Sequence, residues 1–308
     1  MSTVPGRRLR AVNALCVTPF DERGRLDEAA LATIVDGLAA EEIGVYMGDY
    51  VVGEGNVLRP REARRVYEVA VASAAGRAPV YAAALGFAST DRVIEQAIEA
   101  SEAGVDAVQI LPPRPTPVPG MRRIAELERY YAEVLAEVRG PVHLSDHVVM
   151  SGYRLPGDLL GDLVTAFPSI EAVNVSDPDL DAVALLVAAL GSRVAVRVGI
   201  VAQLPTALLL GGQGILCFEA AVAPQLCREV LDTFRTGAMD AWSGSFQRLM
   251  LLNAALTRTQ PPQSVKGAMT LLGLPGGEVR RPHIPLGKED EQEIAESLTS
   301  LGLMGPDR

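Results

Sequence analysis

Short β-branched runs alternate with stretches of helical periodicity along most of this chain, and this alternation constrains the fold more than any other feature. Between the runs, apolar residues recur at helical spacing, as in Leu31, Ile34, Val35 and Leu38. This order is typical of βα units that feed a parallel sheet, and eight such units close most naturally into a barrel. The eight runs are Ala11–Thr18, Gly44–Gly48, Val80–Leu85, Ala107–Leu111, Val142–Ser145, Ala172–Val175, Val194–Val198 and Ile215–Phe218.

The chain becomes mostly helical after Phe218. Helices are predicted near Pro224–Arg235, Ala238–Leu256, Ser264–Leu272 and Glu289–Leu301. A barrel does not need this much terminal helix. We therefore predict an α/β fold, a (β/α)8 TIM barrel over residues 9–224 with a C-terminal helical extension, in which residues 225–304 form a bundle packed on the barrel.

Composition disfavours several classes of partner and site. The chain has 28 Lys and Arg against 38 Asp and Glu, a formal net charge of −10, which disfavours nucleic acid because binding phosphates needs clustered basic residues. No apolar run reaches the roughly 18 residues needed to cross a bilayer, and the arginines near the start are followed by no apolar segment. We expect a cytoplasmic protein with no nucleic-acid or membrane partner. The three cysteines have no CxxC spacing, which disfavours disulfides and a zinc knot.

Lysine is nearly absent from this chain. Its only two lysines, Lys266 and Lys288, lie beyond every predicted strand. A lysine amine forms the Schiff base by which many enzymes activate a carbonyl substrate. We therefore predict that this barrel runs no Schiff-base chemistry from its interior.

Several motifs recur in the order and spacing of a known family. They are Ala14–Asp21 with its Thr-Pro-Phe turn, Gly53-Glu54, Gly211–Ile215 and Val265-Lys266. In these motifs, over nearly its whole length, the chain resembles the dihydrodipicolinate synthase and N-acetylneuraminate lyase family of class I aldolases. The resemblance implies a small-molecule substrate, no cofactor and a homo-oligomer, either a dimer or a tetramer.

The resemblance fails at the catalytic positions. The family lysine that forms the imine falls on Asn174, whose neutral amide cannot do so. The strand-five tyrosine falls on Ser145, a far weaker acid than a phenol, and the asparagine after it falls on Asp146. The hydroxyl pair that binds the carboxylate of an oxo acid falls within Tyr50–Val52, and an arginine for a distal carboxylate falls on Met150.

Residues at the strand ends are the candidates for function, because barrel enzymes place their chemistry there. His147 is predicted to transfer protons, Asn174 to hold a substrate oxygen, and Tyr50 to replace the lost phenol or to form a lid. A loop histidine and a polar interior residue are the simpler alternatives for the first two. The candidate catalytic residues are His147, Asn174, Tyr50, Asp146 and Ser145. The candidate substrate-binding residues are Asp49, Val51, Val52, Arg114, Met150, Gly199 and Glu219.

Two further residues are predicted to have structural roles. His143 shares the strand parity of Ser145, so it is expected to face the barrel interior as a hydrogen-bonded core histidine. Asp177 is expected to cap the helix that contains Leu180.

The sequence favours a divergent lyase or aldolase-type enzyme that works without an imine on a larger, less polar carbonyl substrate, as in specialised metabolism. A non-catalytic relative that binds a small molecule or a partner protein is the main alternative. A metal-dependent aldolase is another, because His143, Asp146, His147 and Asp49 are suitable ligand types. They form no compact ligand motif, so no metal site is assigned.

Overall fold

The predicted barrel is present in the protein. The computed structural model describes residues 9–86, 88–114 and 123–305. Eight strands in these residues form one closed barrel in sequence order, with parallel pairing wherever the register is defined. The strands are β1 Val12–Leu15, β2 Gly44–Met47, β3 Val80–Ala84, β4 Ala107–Ile110, β5 Val142–His147, β6 Ile170–Ser176, β7 Ala195–Val198 and β8 Gly214–Cys217.

Helices follow the strands, and the apolar stripe of each helix packs on the outer face of the sheet. Helix α1, for example, buries Leu31, Ile34, Val35 and Leu38. The helices between strands are α1 Glu28–Ala40, α2 Pro60–Ala74, α3 Thr90–Glu102, α4 Ile124–Glu137, α5 Val148–Ser151, α6 Gly157–Ala166, α7 Leu180–Leu190 and α8 Leu204–Leu209. After β8 come α9 Glu219–Val222, α10 Pro224–Thr236, α11 Met239–Arg258, α12 Gln263–Leu271 and α13 Lys288–Ser300.

The chain divides into two compact units. The first contains Tyr81–Leu216 and the residues up to Ala11, and the second contains Val12–Val80 and the residues from Cys217 onward. Within the second unit, α9 and α10 contact β1, α10 packs on α11, and α12 packs on α13. The division predicted at residues 224 and 225 stays a prediction. Among the described helices, none combines the length and the apolar character that a membrane span needs.

One predicted helix cap is wrong. The N-cap of α7 is Asp179, whose carboxylate accepts from the amides of Asp181 and Ala182. Asp177 lies two residues earlier and accepts from the Asp179 amide at 2.9 Å. A cap must directly precede the first helical turn, and Asp177 is too far from it.

Candidate active site

The first unit has a polar barrel interior around Asn174. Asn174 lies on β6, is 3% exposed, and donates from Nδ2 to Oε1 of Gln109 on β4 at 2.9 Å. Strand β5 lies between these two strands, and Ser145 on β5 is paired in register with Asn174. The hydrogen bond therefore passes over β5 on the inner face of the sheet. Asn174 and Ser145 are inward-facing neighbours.

A second polar layer comes from the odd-numbered strands of the same unit. The Tyr81 ring on β3 lies 4.6 Å from the His143 ring on β5, between centroids, and 5.8 Å from Cζ of Arg197 on β7. Alternate strands contribute alternate layers in barrels of this type, so these three side chains share one layer of the interior. The parity predicted for His143 agrees with this contact. Sequence reasoning assigned no role to Arg197, although a lone arginine inside the apolar run Val194–Val198 was a visible signal.

His147 and Asp146 end β5 on opposite faces of the sheet. Ser145 and His147 share the inner face because strand side chains alternate, which leaves Asp146 on the outer face. Oδ1 of Asp146 accepts from the Leu155 amide at 3.1 Å, and burial raises its pKa to about 6. This geometry favours anchoring of the loop before α6 over direct proton transfer by Asp146.

The imidazole of His147 is part-buried and hydrogen-bonded. Its Nδ1 accepts from the Met150 amide at 3.3 Å, a long bond that puts the ring hydrogen on Nε2. Burial lowers the pKa of His147 below its usual value, so the ring is neutral at pH 7. A neutral imidazole with a hydrogen on Nε2 can donate to a substrate oxygen.

Arg154 joins the loops that follow β5 and β6. Its Nε donates to Oδ2 of the buried Asp177, and its NH2 group donates to Asp179 at 3.0 Å. Burial acts to raise the pKa of Asp177, but Arg154 and the Asp179 amide outweigh it and hold that pKa low. Asp177 thus positions a loop at the strand ends of the first unit.

In the second unit, Asp49 organises the loop after β2. Its Oδ1 accepts from the amides of Val51 at 2.7 Å and Val52 at 2.9 Å, and its Oδ2 accepts from Gly53 at 2.8 Å. Burial raises the pKa of Asp49 to about 6 although these three bonds oppose the shift. Because three backbone amides donate to its carboxylate, Asp49 is better suited to a structural role.

Two other residues of this loop differ in exposure. Val52 is fully buried, whereas Tyr50 is 44% exposed.

Lys266 is bound at the base of the same loop. Its Nζ donates to the backbone oxygens of Thr18 at 2.8 Å and Glu278 at 2.7 Å and to Oε2 of Glu54. The other oxygen of Glu54 accepts from the Arg280 amide at 2.8 Å. An ammonium group has three donors, and all three are used here. Lys266 is a scaffold residue, as its match to the family's C-terminal lysine implies.

The remaining predicted site residues have different settings. Gly199 is approached so closely by Ser176 that a Cβ would lie 2.1 Å from its hydroxyl oxygen, so a larger residue here would require the Ser176 side chain to move. Glu219 is fully buried, and its Oε1 accepts from Asn253 of α11 at 2.5 Å. Burial raises the pKa of Glu219. Arg114 and Met150 are part-buried. Roles for these residues in substrate binding stay predictions, as do those of Val51 and Val52.

Within the described ranges, no three His, Cys, Asp or Glu side chains come together in a way that suits a metal ion. Carboxylate oxygens of both Asp49 and Asp146 accept hydrogen bonds from backbone amides.

The protein is a closed barrel of eight parallel strands with polar side chains on the inner face near the strand ends. This is the architecture of (β/α)8-barrel enzymes. The dihydrodipicolinate synthetase family profile matches residues 8–301. The chain belongs to this family, whose members are synthases and lyases.

Relatives match almost end to end. The chain is 26% identical over 298 residues to the 4-hydroxy-tetrahydrodipicolinate synthase of Bacillus subtilis strain 168, which covers 94% of this chain and 98% of the relative. It is 30% identical over 297 residues to the enzyme of the same name from Hyphomonas neptunium, covering 93% and 96%.

Solved structures agree on the fold. A dihydrodipicolinate synthase structure superposes with a TM-score of 0.86 at 25% identity, covering 96% of this chain and 100% of that one. The N-acetylneuraminate lyase of Proteus mirabilis gives a TM-score of 0.86 at 19% identity over 97% and 100% of the two chains. At that identity the second likeness shows the fold alone.

Proposed function

We propose that this family member is a lyase that acts on a carbonyl substrate without a lysine imine. The main support for this proposal is the position of Asn174 on the inner face of β6. Its Nδ2 donates a hydrogen bond to Oε1 of Gln109 at 2.9 Å. Lys266 lies in α12 and Lys288 in α13. Nζ of Lys266 donates hydrogen bonds to three acceptors. Neither lysine belongs to a barrel strand.

The amide of Asn174 suits the binding of a substrate carbonyl oxygen. Because Gln109 accepts one hydrogen of Nδ2, the orientation of the Asn174 amide is fixed, and a fixed donor costs no reorganisation when charge develops. His147 shares this inner face and adds a neutral donor through Nε2. Where a substrate hydroxyl displaces the Met150 amide, Nδ1 of His147 becomes a base.

The substrate is proposed to be larger and less polar than pyruvate, as substrates of specialised metabolism often are. The support is chemical: Val51 and Val52 stand where the family has hydroxyl groups, and Met150 stands where some members have an arginine. Apolar walls with few polar groups favour larger ligands.

The proposal also includes a cytoplasmic location and a homo-oligomer, either a dimer or a tetramer. Leu185 on α7 and Leu209 on α8 are each 72% exposed, which is consistent with a subunit contact.

The test is a cleavage assay with 4-hydroxy-2-oxo acids of increasing apolar chain length, following release of the aldehyde and oxo-acid fragments. We expect turnover by the wild type and its loss in Asn174→Ala and His147→Ala. Gln247→Ala, at an exposed position of α11, is the matched control. Full activity in both site variants would refute the assignment. Ligand binding without turnover of any carbonyl compound would instead favour the non-catalytic alternative.

A further inference from the structure

Gln109 on β4 keeps an unused donor inside the barrel of the first unit. Its Oε1 accepts from Nδ2 of Asn174, whereas its Nε2 donates to no group in the described part of the chain. That nitrogen is not completely buried either, and Gln109 is 7% exposed, against 3% for Asn174. Buried amide donors are nearly always hydrogen-bonded in proteins. An unpaired and accessible donor on the inner face of a strand therefore points to a ligand.

The next inner layer, toward the C-terminal strand ends, is built from small residues. Because strand side chains alternate, the residues two positions beyond the buried layer of β3, β5 and β7 share its inner face. They are Ala83, Ser145 and Gly199. The two amides of Gln109 and Asn174 are each paired in register with one of these residues. The side chain nearest to Gly199, that of Ser176, is also small. Small side chains leave space above the two amides, on the side where barrel enzymes bind their ligands.

Ser145 supplies a second open donor. Its Oγ makes no hydrogen bond to a described group and is not completely buried. Strand β5 lies between β4 and β6, so Ser145 stands between Gln109 and Asn174 on the inner face. All three side chains are uncharged at every pH of interest. Neutral donors of this kind can stabilise negative charge that develops on a substrate oxygen.

We propose that Gln109 is a further catalytic residue, whose Nε2 donates with the Ser145 hydroxyl to the carbonyl oxygen of the substrate. This inference rests on the function proposed above, in which Asn174 binds that oxygen, and extends the site to donors from three consecutive strands. The ligand class is a ketone or an aldehyde, whose carbonyl oxygen accepts hydrogen bonds and donates none. Donors held by the strands need little reorganisation as charge develops on that oxygen.

Gln109→Glu tests the Nε2 donor alone. A carboxylate keeps the shape of the side chain and keeps an oxygen for Nδ2 of Asn174, but it replaces the donor by an acceptor. Ser145→Ala removes the hydroxyl donor. Gln260→Glu makes the same chemical change as Gln109→Glu at an exposed position after α11, and is the matched control.

Acetophenone and α-methylstyrene are the probes, because they have similar shapes but only acetophenone has an acceptor oxygen. NMR titration of the full chain gives both dissociation constants, and their ratio cancels changes in the pocket that affect both probes alike. We expect this ratio to shift against acetophenone by about tenfold or more in Gln109→Glu, and by a smaller factor in Ser145→Ala. Gln260→Glu should keep the wild-type ratio.

The pH dependence of the ratio separates a donor to the ligand from a structural residue. When the new carboxyl of Gln109→Glu is protonated, it regains one O–H donor. Burial raises the pKa of such a carboxyl, so the titrations run between about pH 5 and pH 9. The ratio in Gln109→Glu should return toward the wild-type value as the pH falls, whereas the wild-type ratio should stay constant.

Folding is monitored by circular dichroism. A folded Gln109→Glu that has the wild-type ratio at every pH would overturn the inference, and so would a wild type that does not bind acetophenone. If Gln109→Glu does not fold, Gln109→Met gives the same test, because methionine has no donor and the ratio should shift in the same direction.

The assays also separate this inference from the proposed function. Ketone binding that depends on Gln109, in a chain that cleaves no carbonyl compound, would support Gln109 and refute the lyase. Unchanged turnover in Gln109→Glu would support the lyase and overturn the role of Gln109. If both are right, kcat in Gln109→Glu falls by about 100-fold or more, as for the loss of an oxyanion donor.

Discussion

Asn174 on β6 donates its side-chain amide to Gln109 on β4 at 2.9 Å, over the intervening strand β5. This bond crosses the inner face at the position that the sequence resemblance assigns to the imine-forming lysine. It fixes the orientation of the Asn174 amide. The two amides define the floor of the proposed site in the first unit.

Asn174→Lys should acquire the Schiff-base reactivity that, under the proposed function, the wild type does not have. A lysine placed next to Arg197 has its pKa lowered by burial and by the like charge, which makes its amine nucleophilic. Incubation with pyruvate and borohydride should add one reduced adduct to Asn174→Lys, detected by mass spectrometry and mapped by peptide digestion. The wild type should show none. Val149→Lys, at a 68% exposed position, is the control for surface lysines, and an adduct mapped to Lys266 in the wild type would contradict the proposal.

A double-mutant cycle should reveal the coupling of Gln109 with Asn174. Gln109→Met removes the acceptor of a buried amide and should destabilise the fold by about 1–3 kcal/mol. Asn174→Leu should cost a similar amount, whereas the double variant should cost less than the sum of the two. Urea unfolding measures all four free energies. Strictly additive values would mean that the bond contributes nothing to stability.

Lys266→Met should destabilise the protein severely. It leaves Glu54, which is 2% exposed, as a buried carboxylate without its cation, and breaking such a pair costs about 3–5 kcal/mol. Adding Glu54→Gln to the same chain should recover part of the loss. Lys288→Met, at the exposed start of α13, is the control and should leave the urea midpoint unchanged. Equal midpoints for the two lysine variants would contradict a structural role for Lys266.

The stability of the protein should depend on the protonation of Asp146. Its folded pKa of about 6 lies above the ordinary value of 3.8 because burial penalises the charged form. The folded state therefore holds its proton more tightly, so the stabilisation is complete below about pH 4 and is lost as the pH rises through about 6. Relative to Asp146→Asn, the wild type should gain about 1–3 kcal/mol between pH 7 and pH 4.

Thermal unfolding across that pH range measures the difference. Asp158→Asn, at an exposed position of α6, supplies the baseline. The Asn variant keeps an oxygen for the Leu155 amide, so the comparison isolates the charge. Parallel profiles for the wild type and Asp146→Asn would rule out a raised pKa.

The fold followed from the sequence because β-branched runs and helical spacing are local signals. Strand β5 was predicted to end at Ser145 but ends at His147, since polar residues at a strand end are indistinguishable from a loop. The face of each strand-end residue could also have been read from parity, which puts Asp146 opposite Ser145. That distinction was missed when both were grouped as catalytic.

The hydrogen-bond partners of the site residues could not be predicted from the sequence. Which backbone amide binds Asp146 depends on the path of the loop to Leu155, and the use of Asp49 by Gly53 depends on a tight turn. Arg197 is the instructive miss. It is the single charged residue of β7 Ala195–Val198, and because side chains alternate along a strand it lies on the opposite face from Val196 and Val198. An inward position for Arg197 could therefore have been predicted.

The three-acceptor setting of Lys266 has a practical consequence for chemical modification. Acylating reagents need a free, accessible amine, and Lys266 is 2% exposed with every donor engaged. Lys288 is exposed and is the other lysine of the chain. In the native state a fluorophore or a surface linker should therefore attach to one side chain at the start of α13. Lysine side-chain conjugates prepared in this way would all be attached at the same position of the fold.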